Sequence, residues 1–128
     1  MDIIKLKKLV LQEIENLKIY ATYEEIGKLD FTTFKPFMIG TCIYGQMTGN
    51  CFSDRATVLL DLCTIPYSDY TSAYWPTNEM KFAGNRTKLY KSTIINVFSP
   101  LEYYIFNYSE TNEKIIAYLK GEIQTLNL

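Results

Sequence analysis

The segment from Ile39 to Asp54 constrains this chain more than any other: Ile39-Gly40-Thr41-Cys42-Ile43-Tyr44-Gly45-Gln46-Met47-Thr48-Gly49-Asn50-Cys51-Phe52-Ser53-Asp54. Glycines at 40, 45 and 49 are interleaved with Tyr, Gln, Thr, Asn and a pair of cysteines. Glycine weakens a helix and frees the backbone for turns and close approaches. The segment therefore reads as a polar turn, not a regular helix, and it is too polar for a simple core strand. It runs into Ser53-Asp54, a strong helix start. A short polar turn held between apolar elements is where binding groups are displayed.

Composition narrows the classes. A chain of 128 residues fits one domain, 1–128. A hydrophobic fraction of 48% argues against intrinsic disorder. The formal net charge of -1 counts against double-stranded nucleic acid, since a duplex binder needs a basic face to displace counterions. The 3 cysteines, Cys42, Cys51 and Cys63, form no Cys-x-x-Cys pair and no disulfide framework, and their spacing matches no common zinc pattern. They read as reduced thiols of a cytoplasmic protein. The absence of histidine closes the Ser-His-Asp and Cys-His routes to catalysis and removes His as a general base or metal ligand. No cofactor or metal is expected. The N-terminal run Met1 to Lys8 breaks its apolar residues with lysines, unlike a signal peptide, and no apolar run is long enough to span a membrane. The richness in Ile, Lys, Asn and Tyr suggests an AT-rich bacterial or phage genome.

Periodicity and caps predict about five helices. Ile3, Leu6, Val10, Ile14 and Leu17 recur at helical steps, with Leu9 widening the stripe and Lys5, Lys8, Glu15 and Asn16 outward. Thr22-Tyr23-Glu24-Glu25 is a capping box that opens a short helix to about Leu29. Ser53 caps a helix to Cys63, with Ala56, Leu59, Leu60 and Cys63 on one buried face, and Val58 and Leu62 on a second. Ser99 caps the next, with Pro100 at its first position, Glu102 closing the box and Phe98 stapling onto Tyr103. A break at Asn107-Tyr108-Ser109 precedes a last helix from Thr111 to Lys120, stopped by Gly121, and the tail after Glu122 is expected to fray. Between Phe31 and Ile43 the pattern, interrupted by Pro36, fits a short helix or an extended buried segment equally. Residues 66–92 follow no period. Their aromatic side chains are separated by turn signals at Pro76-Thr77-Asn78 and Gly84-Asn85, which predicts an irregular insertion or a short β-hairpin. The expected fold is mainly α: a small single-domain helical bundle with one aromatic-rich insertion.

The string Thr22-Tyr23-Glu24-Glu25-Ile26-Gly27-Lys28-Leu29 resembles the first helix of some winged helix-turn-helix domains. The resemblance covers eight residues, and no basic recognition helix follows, so it implies no DNA binding here.

Four constellations are candidates for function. In the first, Tyr44, Gln46, Thr48, Asn50, Asp54 and Arg55 surround a helix N-terminus beside flexible glycines. That setting suits a nucleotide or other small anion, although Asp54 opposes one and the spacing matches neither the P-loop nor the dinucleotide fingerprint. The alternative is that these groups satisfy one another in a tight turn. In the second, Cys51 lies just before a helix start, as a nucleophile can, but lacks a His partner. In the third, Tyr67, Tyr70, Tyr74, Trp75 and Tyr90 are ring types enriched in interfaces. With Arg86, Lys88 and Lys91 interleaved they could also stack on single-stranded nucleic acid, or simply fill a core. The fourth, paired carboxylates, is explained by capping at Glu24-Glu25 and by an exposed helix edge at Asp54 and Asp61. The expected function is a small cytoplasmic, non-catalytic binding protein that acts through a protein partner or self-association, as a phage or bacterial accessory factor would. The alternative is a small-ligand or nucleotide-binding domain built on Tyr44 to Arg55.

Overall fold

The computed structural model describes residues 3–35, 38–66, 86–90 and 93–128, with 65–66, 86–90 and 93–98 described in backbone alone. The chain is mainly helical. Helix α1, Ile3–Tyr20, buries Leu6, Val10, Ile14 and Leu17 as the stripe predicts, and also buries Glu13. It packs against both α4 (Asp54–Cys63) and α5 (Pro100–Asn107). Asn16, expected to face outward, is half-buried and donates from Nδ2 to the Cys63 carbonyl at 3.1 Å, which stitches α1 to the last turn of α4.

Helix α2, Tyr23–Gly27, begins at the predicted capping box. The Thr22 hydroxyl accepts from the Glu25 amide at 3.1 Å, and Glu25 Oε1 accepts from the Thr22 amide at 2.8 Å. Leu29 and Phe31 then turn into the core.

The glycine-punctuated segment departs from its sequence reading, because Ile43–Thr48 forms a short helix, α3. Its termini explain how this is tolerated. Cys42 is the N-cap, its sulfur accepting from the Gly45 amide, and Gly49 closes the helix in the left-handed conformation at φ 92°. Gly45 lies inside α3 because the backbone of Ile39 presses on it, and a Cβ there would overlap the Ile39 carbonyl. The residue that lowers helix propensity is what lets the helix sit against its own approach loop. The described residues therefore hold six α-helices rather than five.

Ser53 caps α4 as predicted, and Ala56, Leu59, Leu60 and Cys63 are buried. The predicted second buried face is not: Val58 and Leu62 are 46% and 42% exposed. Beyond Thr64 the backbone enters β1, Ile65–Pro66, which pairs antiparallel with β3, Thr93–Phe98. β3 also pairs antiparallel with β2, Arg86–Tyr90, giving the strand order β1-β3-β2. The rest of the stretch predicted as an aromatic insertion lies outside the described residues, as does the Phe98 staple.

Ser99 caps α5 and Pro100 opens it, as expected. The box is only half made, because the Glu102 side chain turns into the core instead of back to residue 99. A 3-10 turn, Ser109–Thr111, follows the predicted break, and α6, Asn112–Leu119, buries Ile115 and Leu119. The tail does not simply fray: Leu126 and Leu128 are partly buried against the core.

Candidate functional site

Of the predicted ligand groups of the α3–α4 region, Tyr44, Gln46, Thr48 and Arg55 spend polar atoms on the protein itself, whereas Asn50 and Asp54 are exposed. Tyr44 is fully buried and donates its hydroxyl to Glu13 Oε2 at 2.6 Å. Gln46 spends its amide on the chain: Nε2 donates to the carbonyls of Asp30 (2.9 Å) and Thr41 (3.0 Å), and Oε1 accepts from the Asp30 amide at 2.8 Å. The Thr48 hydroxyl lies 2.7 Å from the Tyr44 carbonyl and 3.0 Å from that of Asn50. Asn50 is exposed, and its Oδ1 accepts from the Phe52 amide at 2.8 Å. Asp54 is exposed on the first turn of α4.

Arg55 forms a two-pronged contact with Glu25, through Nε at 2.9 Å and Nη2 at 2.8 Å, and Nη2 also reaches the Tyr20 carbonyl at 2.9 Å. Hydrogen bonding to Arg55 is the main cause that lowers the Glu25 carboxyl to about 2, against the opposing effect of burial. This fork clamps the α1–α2 corner to the start of α4.

Beneath this rim lies an acid cluster that the sequence reading did not assign. Glu13 and Glu102 are both fully buried. Glu13 receives three donors: the hydroxyls of Tyr44 and Ser99 on Oε2, each at 2.6 Å, and the Leu101 amide on Oε1 at 3.0 Å. Among the described residues Glu102 receives one, the Ile43 amide on Oε2 at 3.3 Å, and its Oε1 has no partner. Ser99 Oγ links the two, since it accepts from the Glu102 amide at 3.0 Å and spends its proton on Glu13.

Each carboxylate does a job for a neighbouring element. Leu101 lies in the first turn of α5 and Ile43 in the first turn of α3, where backbone amides have no partner within their own helix. Glu13 from α1 satisfies one, and Glu102 from α5 satisfies the other. Consecutive α3 residues thus serve the pair, Ile43 through its amide and Tyr44 through its hydroxyl.

No lysine or arginine among the described residues meets either carboxylate. Burial accordingly dominates both. Desolvation pushes Glu13 up to about 7 despite its three donors. It pushes Glu102 up to about 8, with the nearby Glu13 charge adding to the rise. The same enclosure raises the Tyr44 phenol well above its usual range. Cys42 is driven upward by burial and by Glu102, and Cys63 up to about 12 by burial and Glu13.

A sequence signal for Glu13 existed: it falls between Val10 and Leu17 on the apolar stripe of α1, where a charged residue is out of place. Glu102 carried no such signal, because the capping box accounted for it completely.

The other candidates are placed less fully. Cys51 is buried, and its amide donates to the Ile39 carbonyl at 2.9 Å. Tyr67, Tyr70, Tyr74 and Trp75 lie outside the described residues, and Tyr90 is described in backbone only, paired with Thr93. Among the described residues no group of three or more metal-ligating side chains is close enough to hold an ion, and no helix is long and apolar enough to cross a membrane. No protein-family model, curated protein or solved structure matches the chain.

Proposed function

We propose that the chain is a small non-catalytic binding protein acting through a protein partner or through self-association. The observation that carries the reading is the surface gathered around the Arg55 clamp. The corner it ties together presents Ile19 (70% exposed), Tyr20 (43%) and Tyr23 (85%), and Phe52 (60%) is exposed just before α4. Scattered apolar side chains are ordinary on a protein surface, but large aromatic ones gathered at a fixed corner suit recognition. The buried acids, phenol and thiols are withheld from any substrate: Glu13, Glu102, Tyr44 and all three cysteines are buried. The ligand-binding alternative at Tyr44 to Arg55 has less support, because Tyr44, Gln46 and Arg55 are committed to internal partners.

Native mass spectrometry of the protein purified from cells tests this reading. A dimer or a complex with another chain is the expected mass, and a bare monomer across a range of concentrations counts against it. Tyr23→Ala and Trp75→Ala, as separate variants, should each lower the associated fraction while leaving the circular dichroism spectrum unchanged. Undiminished association in both would remove the aromatic residues from the interface.

A further inference from the structure

The Glu13–Glu102 cluster is more than a polar patch in a core. Two carboxylates share one enclosed space with no cation among the described residues, and their hydrogen bonds are unequal. Glu13 is equipped to hold a charge: three donors converge on it, and its two hydroxyl contacts have the 2.6 Å length of charge-assisted bonds. Glu102 is equipped to hold a proton: among the described residues its single donor is distant, and one oxygen has none. Two like charges so enclosed repel each other, and the second would leave a bare carboxylate oxygen in the core.

We propose that the Glu13–Glu102 pair is a proton-operated latch that seats α5 on α1 and α3. With Glu102 protonated the three helices stay together. When both carboxylates are ionised, α5 loosens, and the pull passes to β3, joined to it through Ser99 alone. The latch is independent of the partner reading.

The ionisable surroundings support it. On the α3 side the pair faces Tyr44 and Cys42, with Cys51 beside Cys42, and on the α4 side Cys63; Tyr44, Cys42 and Cys63 are all raised by burial and so stay neutral at physiological pH. Arg55 and Glu25 act electrostatically on Cys63 from the rim and neutralise each other. On the α6 side of α1, Tyr118 donates to Glu15 and Lys18 lies over its ring at 3.8 Å, which occupies those charges. β1 and β3 contain no ionisable residue, while β2, beyond β3 in the sheet, carries Arg86, Lys88 and Tyr90. Among the described residues, the proton responsible is therefore held by the two glutamates.

The sign follows from linkage. Both carboxyls are raised from 4.5, to about 7 and about 8, so the folded chain holds protons that the unfolded chain has released. Their stabilisation is complete below about 4.5 and is lost as pH rises through 7 and 8. Thermal melts of the full chain between about pH 5 and about pH 9 should therefore show a falling Tm that levels off at the alkaline end. Glu102→Gln retains the shape of the protonated acid but cannot ionise. Its Tm should fall about half as steeply, one titrating group of the pair having been removed. Hydrogen exchange, corrected for its intrinsic pH dependence, should quicken in Tyr103–Asn107 before it does in Leu6–Leu17. Equal pH slopes for the two proteins, or exchange that quickens uniformly along the chain, would overturn the latch. Should Glu102→Gln not fold, infrared spectra of the unmutated protein decide. A protonated-carboxyl band below neutrality that is lost by about pH 9 supports the proposal, and its absence overturns it.

Discussion

Two glutamates occupy the same place in the same short motif and end in opposite environments. Thr22-x-x-Glu25 and Ser99-x-x-Glu102 both spell a capping box, and both open a helix. At the first, the carboxylate folds back onto the Thr22 amide, meets Arg55 and is lowered to about 2. At the second, Ser99 still accepts from the amide three residues on, but the carboxylate points inward to Ile43 and is raised to about 8. The motif determines where a helix begins. The neighbours brought by the rest of the fold determine where its side chain goes, an arginine at one site and the first turn of another helix at the other.

The strongest way to break this contrast is to remove the acid that holds the buried site together. Glu13→Ala leaves the Tyr44 and Ser99 hydroxyls and the Leu101 amide without their partner, all in the core. Loss of one member of a buried polar network costs about 3–5 kcal/mol. Glu25→Ala removes an equivalent side chain from the rim, where water can replace it, and should cost about 1 kcal/mol. Denaturant melts of the two variants at neutral pH measure the difference. Equal costs would mean that burial does not separate the two sites.

A smaller change sharpens the picture of the core. Tyr44→Phe keeps the ring and deletes one donor to Glu13, a loss of about 1.5–3 kcal/mol for a bond to a charged group. The Tyr44 bond is one of the contacts that hold Glu13 down, so its removal should raise that carboxyl above about 7. The phenylalanine variant should then be penalised more at about pH 8, where Glu13 is ionised in the parent, than at about pH 5, where it is protonated. A cost independent of pH would show that Tyr44 serves packing alone.

What could be read from the sequence divides along the same line. The buried stripe of α1, the caps Thr22, Ser53 and Ser99, the face Ala56-Leu59-Leu60-Cys63 and the break near Tyr108 all arise from interactions a few residues apart, and the fold contains them. Helix α3 was hidden because Cys42 is an uncommon cap and Gly45 an uncommon interior residue, the latter required by the Ile39 backbone pressing close. The acid cluster was hidden more deeply. Glu13 and Ser99 are 86 residues apart, and Ile43 and Glu102 are 59 apart, so no local window contains either contact. Within Ile39 to Asp54, Gln46 and Tyr44 fasten α3 to Asp30, Thr41 and Glu13.

The mildest test compares the direction of the two pH responses. Arg55→Ala removes the two-pronged contact to Glu25, which lies at a rim where the arginine side chain is 41% exposed. Screening by water limits the loss to about 1 kcal/mol at neutral pH, less in high salt. Because the Glu25 carboxyl is lowered from 4.5 to about 2, its stabilisation is present above 4.5 and disappears as pH falls through 2. The parent's advantage over Arg55→Ala should therefore shrink on acidification from about pH 5 to about pH 2, as read from urea melts. The core pair changes in the other sense, losing its stabilisation as pH rises. One fold would then carry two capping-box glutamates with opposite pH dependence, one set by a cation at the surface and one by enclosure. If the Arg55→Ala difference persisted undiminished at the acid end, the clamp's contribution would have to be steric, and the contrast between the two motifs would rest on the core alone.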